Sequence, residues 1–572
     1  MKSLSMVMIS AASGLLALGG CADEDALPGG GLGGATLHVA ALGDCASNEN
    51  RDRQFPRGAD RVVLELTGGA IPSGTPVILS ALASDATAAG EVIVPGVPPG
   101  QGMTLRVVAC AGAEALWAGE TGGVDVVANE KTFPTVFLTP VDKVACTGNA
   151  ESSAGARDMR EGRAFAALAA DGDAAWVFGG LSGYTASTVT ATATATIDRY
   201  DRTTGEFEGA GGLQSARAMA LAVPQADGKI KVYGGTTRLV IASFGKPALW
   251  AAHGDAPSAA SEIYDPETEQ SQVDVAQPLP ALPALAATDA GVVLAVGGVE
   301  QGGVGNDPDA VSQNMTRFDG DGAASAELPD SGRIGATVVP LGDRFLVWGG
   351  NADGDVANAG LLVSASGALA TGVDRLTVNG LASVPIFAAG ARLSDGAGGT
   401  ARVLVAGGGT IQSDGSFLPR DVEAARLQVV VIDATLGTAT VTDVDTGAAG
   451  LGTAFQRGAA RLMPLGGDNF WLYGGYTAFV PKDICGGTGS DCLPAKTVRF
   501  AMTGIDTAPT ATPVGNALEL SVGPLGAGAL PLGDGAILVT SGIATITQSS
   551  LGKAAALVRF AAFERDLCAL AP

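Results

Sequence analysis

The chain has 572 residues, 84 of them glycine, with 16% charged and 5% aromatic residues and a formal net charge of −24. Its length exceeds one ordinary domain, it is too apolar for an acidic disordered chain, and its negative charge argues against nucleic acid as a partner. The glycines follow no G-X-Y period, which excludes collagen, and a single long uncharged apolar run excludes a polytopic helical membrane protein.

That run comes first. Lys2 precedes an apolar stretch from Leu4 to Leu18, too short for a spanning helix and composed like an export signal. It ends in Leu18-Gly19-Gly20-Cys21, with Asp23, Glu24 and Asp25 close behind. This resembles the bacterial lipoprotein lipobox. The resemblance implies that residues 1–20 are a signal peptide and that Cys21 is lipidated, so the lipid chains make the membrane a partner. Residues 21–34 are acidic and Gly-rich and read as a flexible tether. Ala22, in place of the Asp that retains many such lipoproteins at the inner membrane, implies an outer-membrane destination in a Gram-negative cell envelope.

Residues 35–145 alternate short apolar runs with turn-rich pieces such as Gly96-Val97-Pro98-Pro99-Gly100. Strands are expected at 36–42, 61–66, 76–79, 91–94, 103–110, 124–127 and 135–138. Seven short strands over this length point to a β-sandwich. The VPPG turn and the strand after it look like the sandwich domains related to transthyretin, which suits a spacer or assembly domain.

With Cys21 lipidated, six cysteines remain, an even number in an exported chain, and they allow fifteen pairings. Cys485 and Cys492 flank the short GGTGSD loop and are expected to pair. Cys45 and Cys110 share the first domain. Cys146 and Cys568 then stand at the two ends of the remaining chain, where a bridge would fix a closed ring. Metal binding is disfavoured because there is no CxxC and the histidines are His38 and His253 alone.

Residues 146–572 repeat. An apolar strand ends in a glycine doublet at Gly179-Gly180, Gly234-Gly235, Gly297-Gly298, Gly349-Gly350, Gly407-Gly408 and Gly474-Gly475, and a degenerate copy has Ser541-Gly542. First positions are spaced by 55, 63, 52, 58, 67 and 67 residues. Arg163, Arg217, Arg333 and Arg457 each open an R-x-x-A segment 16 or 17 residues earlier. A strand carrying Tyr200, Tyr264, Phe318, Phe500 or Phe560 completes five of the seven units. Unit three lacks the opening Arg, units four and five have Leu361-Leu362-Val363 and Ile432-Asp433 at the aromatic position, and unit seven lacks a full doublet.

Three ordered signals per unit resemble the kelch repeat, a four-stranded propeller blade. The resemblance implies an all-β chain: a β-sandwich followed by a kelch-type β-propeller of seven blades, or six if the last unit fails. The glycines would turn strand ends and let blades approach, and the aromatics would fill the gaps between sheets.

The kelch family includes a copper-radical galactose oxidase, whose site needs two histidines, two tyrosines and copper; His253 is alone in the repeats. A Ser–His–Asp hydrolase would depend on His253 too, and no GxSxG elbow accompanies it. Sialidase boxes are missing. The repeating arginines read as structural pairings. Catalysis is therefore not the expected activity, and no cofactor is expected. The turns Asp319-Gly-Asp321 and Asn351-Ala-Asp353-Gly-Asp355 raise calcium, but neither matches the twelve-residue calcium loop, and turn-forming Asp-Gly pairs explain them.

Long insertions carry Tyr184, Trp250, Tyr476 and Phe479. On one propeller rim such aromatics would suit stacking on a sugar or contact with a protein. The expected function is an envelope lipoprotein whose propeller is a protein- or glycan-binding scaffold. A carbohydrate-active enzyme with a rim site and a structural envelope component are the alternatives.

Overall fold

The structure, a computed structural model, describes residues 33–41, 56–149, 159–251, 254–411, 417–419, 427–446, 451–476, 497–543, 551–560 and 565–570, with short breaks inside these spans. Cys21, Cys45, Cys485, Cys492, Phe479 and His253 lie outside the described residues. The described chain is all-β apart from short helical turns and one C-terminal helix, Arg565–Leu570.

The first part is one mixed sheet. Its strands are β1 (Gly33–Ala41), β2 (Arg61–Thr67), β3 (Val77–Leu82), β4 (Glu91–Val97), β5 (Gly100–Ala111), β6 (Glu114–Val126), β7 (Lys131–Thr132) and β8 (Thr135–Pro140). They run in the order β3-β2-β5-β6-β8-β1-β4, with β7 beside β1 and the two edge strands β3 and β4 in contact. Val62, Leu64, Leu66, Val107, Val136 and Leu138 form part of its core, and the alternation along β2 is the period-2 pattern of a strand with one apolar face inward. The strand expected at 124–127 is only the end of β6. Glycines obscure the rest, and Gly119 marks close packing rather than a turn: a Cβ there would lie 2.1 Å from the Phe137 carbonyl on β8.

Seven four-stranded antiparallel sheets follow in chain order. Their second strands are Ala174–Phe178, Ile230–Tyr233, Val293–Val296, Arg344–Trp348, Ala401–Ala406, Asn469–Tyr476 and Ala536–Val539, the apolar runs that end in the doublets. The first and fifth sheets each gain a short parallel outer strand, Gly148–Asn149 and Thr377–Asn379. These runs are continuously apolar because both faces are buried. In the first sheet Ala175 and Val177 pack against the seventh sheet, while Trp176 and Phe178 pack against the second. In the fourth, Phe345 and Val347 face the third sheet and Leu346 and Trp348 the fifth. Each neighbouring pair of sheets shares such a core, and the seventh shares one with the first, so the cores form a cycle.

The repeat aromatics sit in these cores. Tyr264 packs edge-on to Phe178 of the preceding sheet at 5.4 Å between centroids, and Phe318 lies 4.9 Å from Tyr233 of the sheet before it. The Tyr264 hydroxyl donates to the Ala210 carbonyl at 2.8 Å, and burial pushes its phenol pKa up to about 12. Where the aromatic is missing, Leu361, Leu362 and Val363 in the fourth sheet and Ile432 in the fifth are buried instead.

Closure of the cycle differs from the expectation. The seventh sheet takes its outer strand, β9 (Val144–Cys146), from the segment just after the N-terminal mixed sheet, through pairs such as Cys146 with Ala556. The expected Cys45–Cys110 and Cys146–Cys568 bridges are corrected, because Cys568 is bonded to Cys110. Cys146 is also disulfide-bonded, to a residue other than Cys568. The reason is the C-terminal helix. It leaves the ring and packs Leu567 and Cys568 against Val63, Val108, Cys110 and Ala118, on the face of β2, β5 and β6 opposite the main core. Arg61 donates to the Cys568 carbonyl at 2.8 Å, Arg499 donates to Asp142 at 2.8 Å, and the Arg559 Nε donates to Thr139 at 3.0 Å. These contacts clamp the N-terminal mixed sheet onto the sixth and seventh sheets.

Candidate functional site

The repeat residues build the seams between sheets. Both glycines of all six doublets have φ in the left-handed region. The first glycine faces the next unit: a Cβ on Gly297 would lie 2.0 Å from the Arg333 carbonyl, and the second glycine, Gly298, donates its N–H to that carbonyl at 2.7 Å. In the degenerate seventh unit Gly542 keeps the second position, where a Cβ would meet the Leu525 carbonyl at 2.2 Å. Only glycine permits both the conformation and the approach.

The opening arginines reach back to the same doublets. Arg163, Arg217, Arg333 and Arg457 are all buried, and each donates to the carbonyl of its own unit's first doublet glycine, at 3.1, 3.0, 2.8 and 3.0 Å. Three also meet a buried carboxylate: Asp198 for Arg163, Glu262 for Arg217 and Asp330 for Arg333. Burial pulls all four guanidinium pKa values down, that of Arg457 to about 10, and the carboxylates oppose this in the other three. Pro280 and Pro385 occupy the Arg position in units three and five. The arginines are thus committed to holding strand ends.

Two residues after each Arg or Pro, the chain makes a feature that the sequence did not announce. Phe165, Met219, Leu282, Gly335, Phe387, Ala459 and Gly526 all have left-handed φ, between 51° and 73°, just ahead of the first strand of each sheet or, for Ala459, at its start. Five of the seven are not glycine, and such outliers persist only where the surroundings over-determine them. Here neighbours bind one another around the axis: Phe165 N–H donates to Gly526 O at 2.6 Å, Met219 to Phe165 O at 2.8 Å, Phe387 to Gly335 O at 2.7 Å and Ala459 to Phe387 O at 2.9 Å. The two glycines make room for phenyl rings, since a Cβ on Gly335 would lie 2.7 Å from the Phe387 ring and one on Gly526 2.6 Å from that of Phe165. The seven residues form a collar. All seven, with the starts of the first strands of sheets two to six, line an axial cavity of about 280 Å³. The repeated triplets, such as Arg163-Ala-Phe165 and Arg217-Ala-Met219, are the sequence signal that would have located it.

One end of the collar is covered. Leu181, Val299, Tyr476 and Ile543, each just past a doublet, join Phe165 and Leu282 in a single apolar cluster. Tyr476 is 4% exposed, which corrects its expected role as a rim aromatic: its ring is used in packing. The insertions of units one and two join in an extra antiparallel sheet, Leu181–Thr185, Thr190–Ala193, Arg238–Ile241 and Trp250–Ala251, which brings the backbones of Tyr184 and Trp250 into one structure. Ala191 and Leu239 anchor it to the apolar cluster, and Arg238 pairs with Asp255 at 2.8 Å.

Of the two turns considered for calcium, the one at Asn351–Asp355 is closed on itself, while Asp321 of the other lies outside the described residues. The Asp353 carboxylate accepts from the Asn351 side chain, from the Asp355 N–H at 2.9 Å and from Asn358 Nδ2 at 3.0 Å. Burial opposes ionisation of Asp353, but these donors outweigh it and hold its pKa below the usual carboxylate value. Among the described residues, no three His, Cys, Asp or Glu side chains are grouped to hold a metal ion. No described helix is long and apolar enough to cross a membrane.

No family model and no curated protein matches the chain. Among solved structures, that of YjhT aligns with 62% of this chain and 99% of its own, at 14% sequence identity and a TM-score of 0.36.

Proposed function

We propose that the cycle of sheets is a seven-bladed kelch-type β-propeller joined to a β-sandwich. The mature chain is an envelope lipoprotein, held through Cys21 in the outer membrane, whose propeller is a scaffold for binding a protein or glycan. The observation that supports this reading is the extra sheet. It is an irregular addition on a frame whose buried arginines are occupied within the seams, and it stands at the covered end of the collar. Rigid frames bearing irregular insertions are where binding residues concentrate.

The test uses the chain purified from Ala22 onward, screened on glycan arrays and by crosslinking in envelope fractions, beside Tyr184→Ala/Trp250→Ala. A defined ligand should bind the parent chain, and the double variant should bind it about tenfold more weakly with an unchanged melting temperature. Turnover of that ligand, abolished by a single carboxylate substitution, would replace the scaffold reading with an enzyme. In cells Cys21→Ala should move the protein out of the membrane fraction; continued membrane association refutes the anchor.

A further inference from the structure

The axial cavity lies under the collar, apart from the extra sheet, and its chemistry is of another kind. Phe165 and Phe387 supply aromatic faces, and Met219, Leu282, Leu285 and Leu462 supply aliphatic ones. Among the described lining residues a single side chain is ionisable, Arg461, two positions beyond the collar residue Ala459. It sits on the first strand of the sixth sheet opposite Tyr473, is exposed, and makes no ion pair among the described residues. It therefore differs from the four repeat arginines, which are buried and hydrogen-bonded to doublet carbonyls.

We propose that this cavity binds a small apolar monocarboxylate, with its body against the phenyl rings of the collar and its carboxylate on the Arg461 guanidinium. Three features carry the assignment. The volume equals that of roughly nine waters, the scale of a short-chain or aryl acid. The side chains around it are mostly apolar, with backbone groups and the Thr337 hydroxyl between them, and one ionisable group is placed to fix orientation, as in small-ligand sites. That group is a guanidinium, whose planar donors match a carboxylate in a bidentate geometry.

A competing charge stands at the far ends of the first strands. The turns there carry Asp227, Asp289, Asp343, Asp395 and Asp468 in sheets two to six. Asp468 is seven residues beyond Arg461, about 20 Å along a strand, more than two screening lengths at physiological salt. The aspartates therefore leave the attraction at Arg461 intact.

Three probes of one shape separate the possibilities: octanoate, octanol and octylamine, titrated calorimetrically into the full purified chain at neutral pH. Octanoate should bind about tenfold more tightly than octanol, and octylamine most weakly. Arg461→Gln should erase the preference for octanoate and leave octanol unchanged. Ala284→Phe, which fills the cavity from the third sheet, should weaken all three probes, with melting temperature as the check on folding. Absence of binding by every probe overturns the proposal. So do equal affinities for octanoate and octanol, a preference unaltered in Arg461→Gln, or tightest binding of octylamine, which would assign selectivity to the aspartates. None of these outcomes bears on Tyr184 and Trp250, so failure here is distinct from failure of the scaffold reading.

Discussion

Replacing Arg217 by methionine isolates what a repeat arginine contributes. The side chain and its partner Glu262 are both fully buried. Arg217 donates to the Gly234 carbonyl at 3.0 Å and to the Glu262 carboxylate, which also accepts the Ser215 N–H at 3.0 Å. Methionine keeps most of the aliphatic stem, so packing is largely retained. What is lost is the one cation paired, among the described residues, with a carboxylate that has no access to water. Breaking a buried pair from one side costs about 3–5 kcal/mol, because the remaining charge is uncompensated. Glu262→Gln keeps acceptor and shape while removing that charge. In Arg217→Met/Glu262→Gln the stranded charge is gone, so the double variant should be less destabilised than the sum of the singles by about 2 kcal/mol. Urea unfolding followed by the fluorescence of buried Trp176, Trp348 and Trp471 measures all four chains. A loss below about 1 kcal/mol in Arg217→Met, or strict additivity in the double variant, would refute the claim that these arginines hold the seams electrostatically.

Three further tests address other parts of the frame. The Cys110–Cys568 bridge spans 458 residues, for which the chain-entropy relation gives an upper figure of about 6 kcal/mol. Cys110→Ala/Cys568→Ala should lower the melting temperature, and non-reducing peptide mapping of the parent should recover the linked pair; recovery of Cys568 linked to Cys146 would contradict the docking of the C-terminal helix. Gly297→Ala forces a Cβ to within 2.0 Å of the Arg333 carbonyl and should cost roughly 4 kcal/mol or more, whereas Gly302→Ala, at φ 79° with open space around it, should cost about 1 kcal/mol. Similar losses at both positions would mean that backbone conformation alone, not the approach of the next unit, demands the doublet.

The third test concerns acid. Burial opposes ionisation of Asp201, but donation from the Thr203 hydroxyl and N–H, at 2.6 and 2.7 Å, together with Arg199, holds its pKa below the usual 3.8. A depressed carboxyl pKa stabilises the fold above the unfolded value and loses that contribution as pH falls through the folded one. The melting temperature of the parent should exceed that of Asp201→Asn above about pH 4, and the gap should close as the pH drops toward 2. A gap that widens in acid would reverse the assignment.

The periodic part of the architecture was readable from residues alone. A glycine doublet after an apolar run, an arginine at a fixed distance before it and an aromatic after it are short-range requirements, renewed in every unit. Val177 beside Phe178 reads as an unbroken apolar run because one faces the seventh sheet and the other the second. The positions that stayed hidden depend on segments far apart in the chain. Nothing local in Val144–Cys146 marks it as the outer strand of a sheet whose other strands begin at Ala529, and nothing near Cys568 names Cys110 as its partner. The collar was hidden for a related reason. Phe165, Leu282 and Ala459 differ in size and shape and share only apolar character, which is common throughout the chain; what sets them apart is a backbone conformation that the meeting of sheets around the axis requires. The sequence by itself determined the repeating unit and its seams. The tertiary structure decided how the cycle is closed, where the ends of the chain are clamped, and what lines the axis, because each of these is settled by which distant surfaces meet.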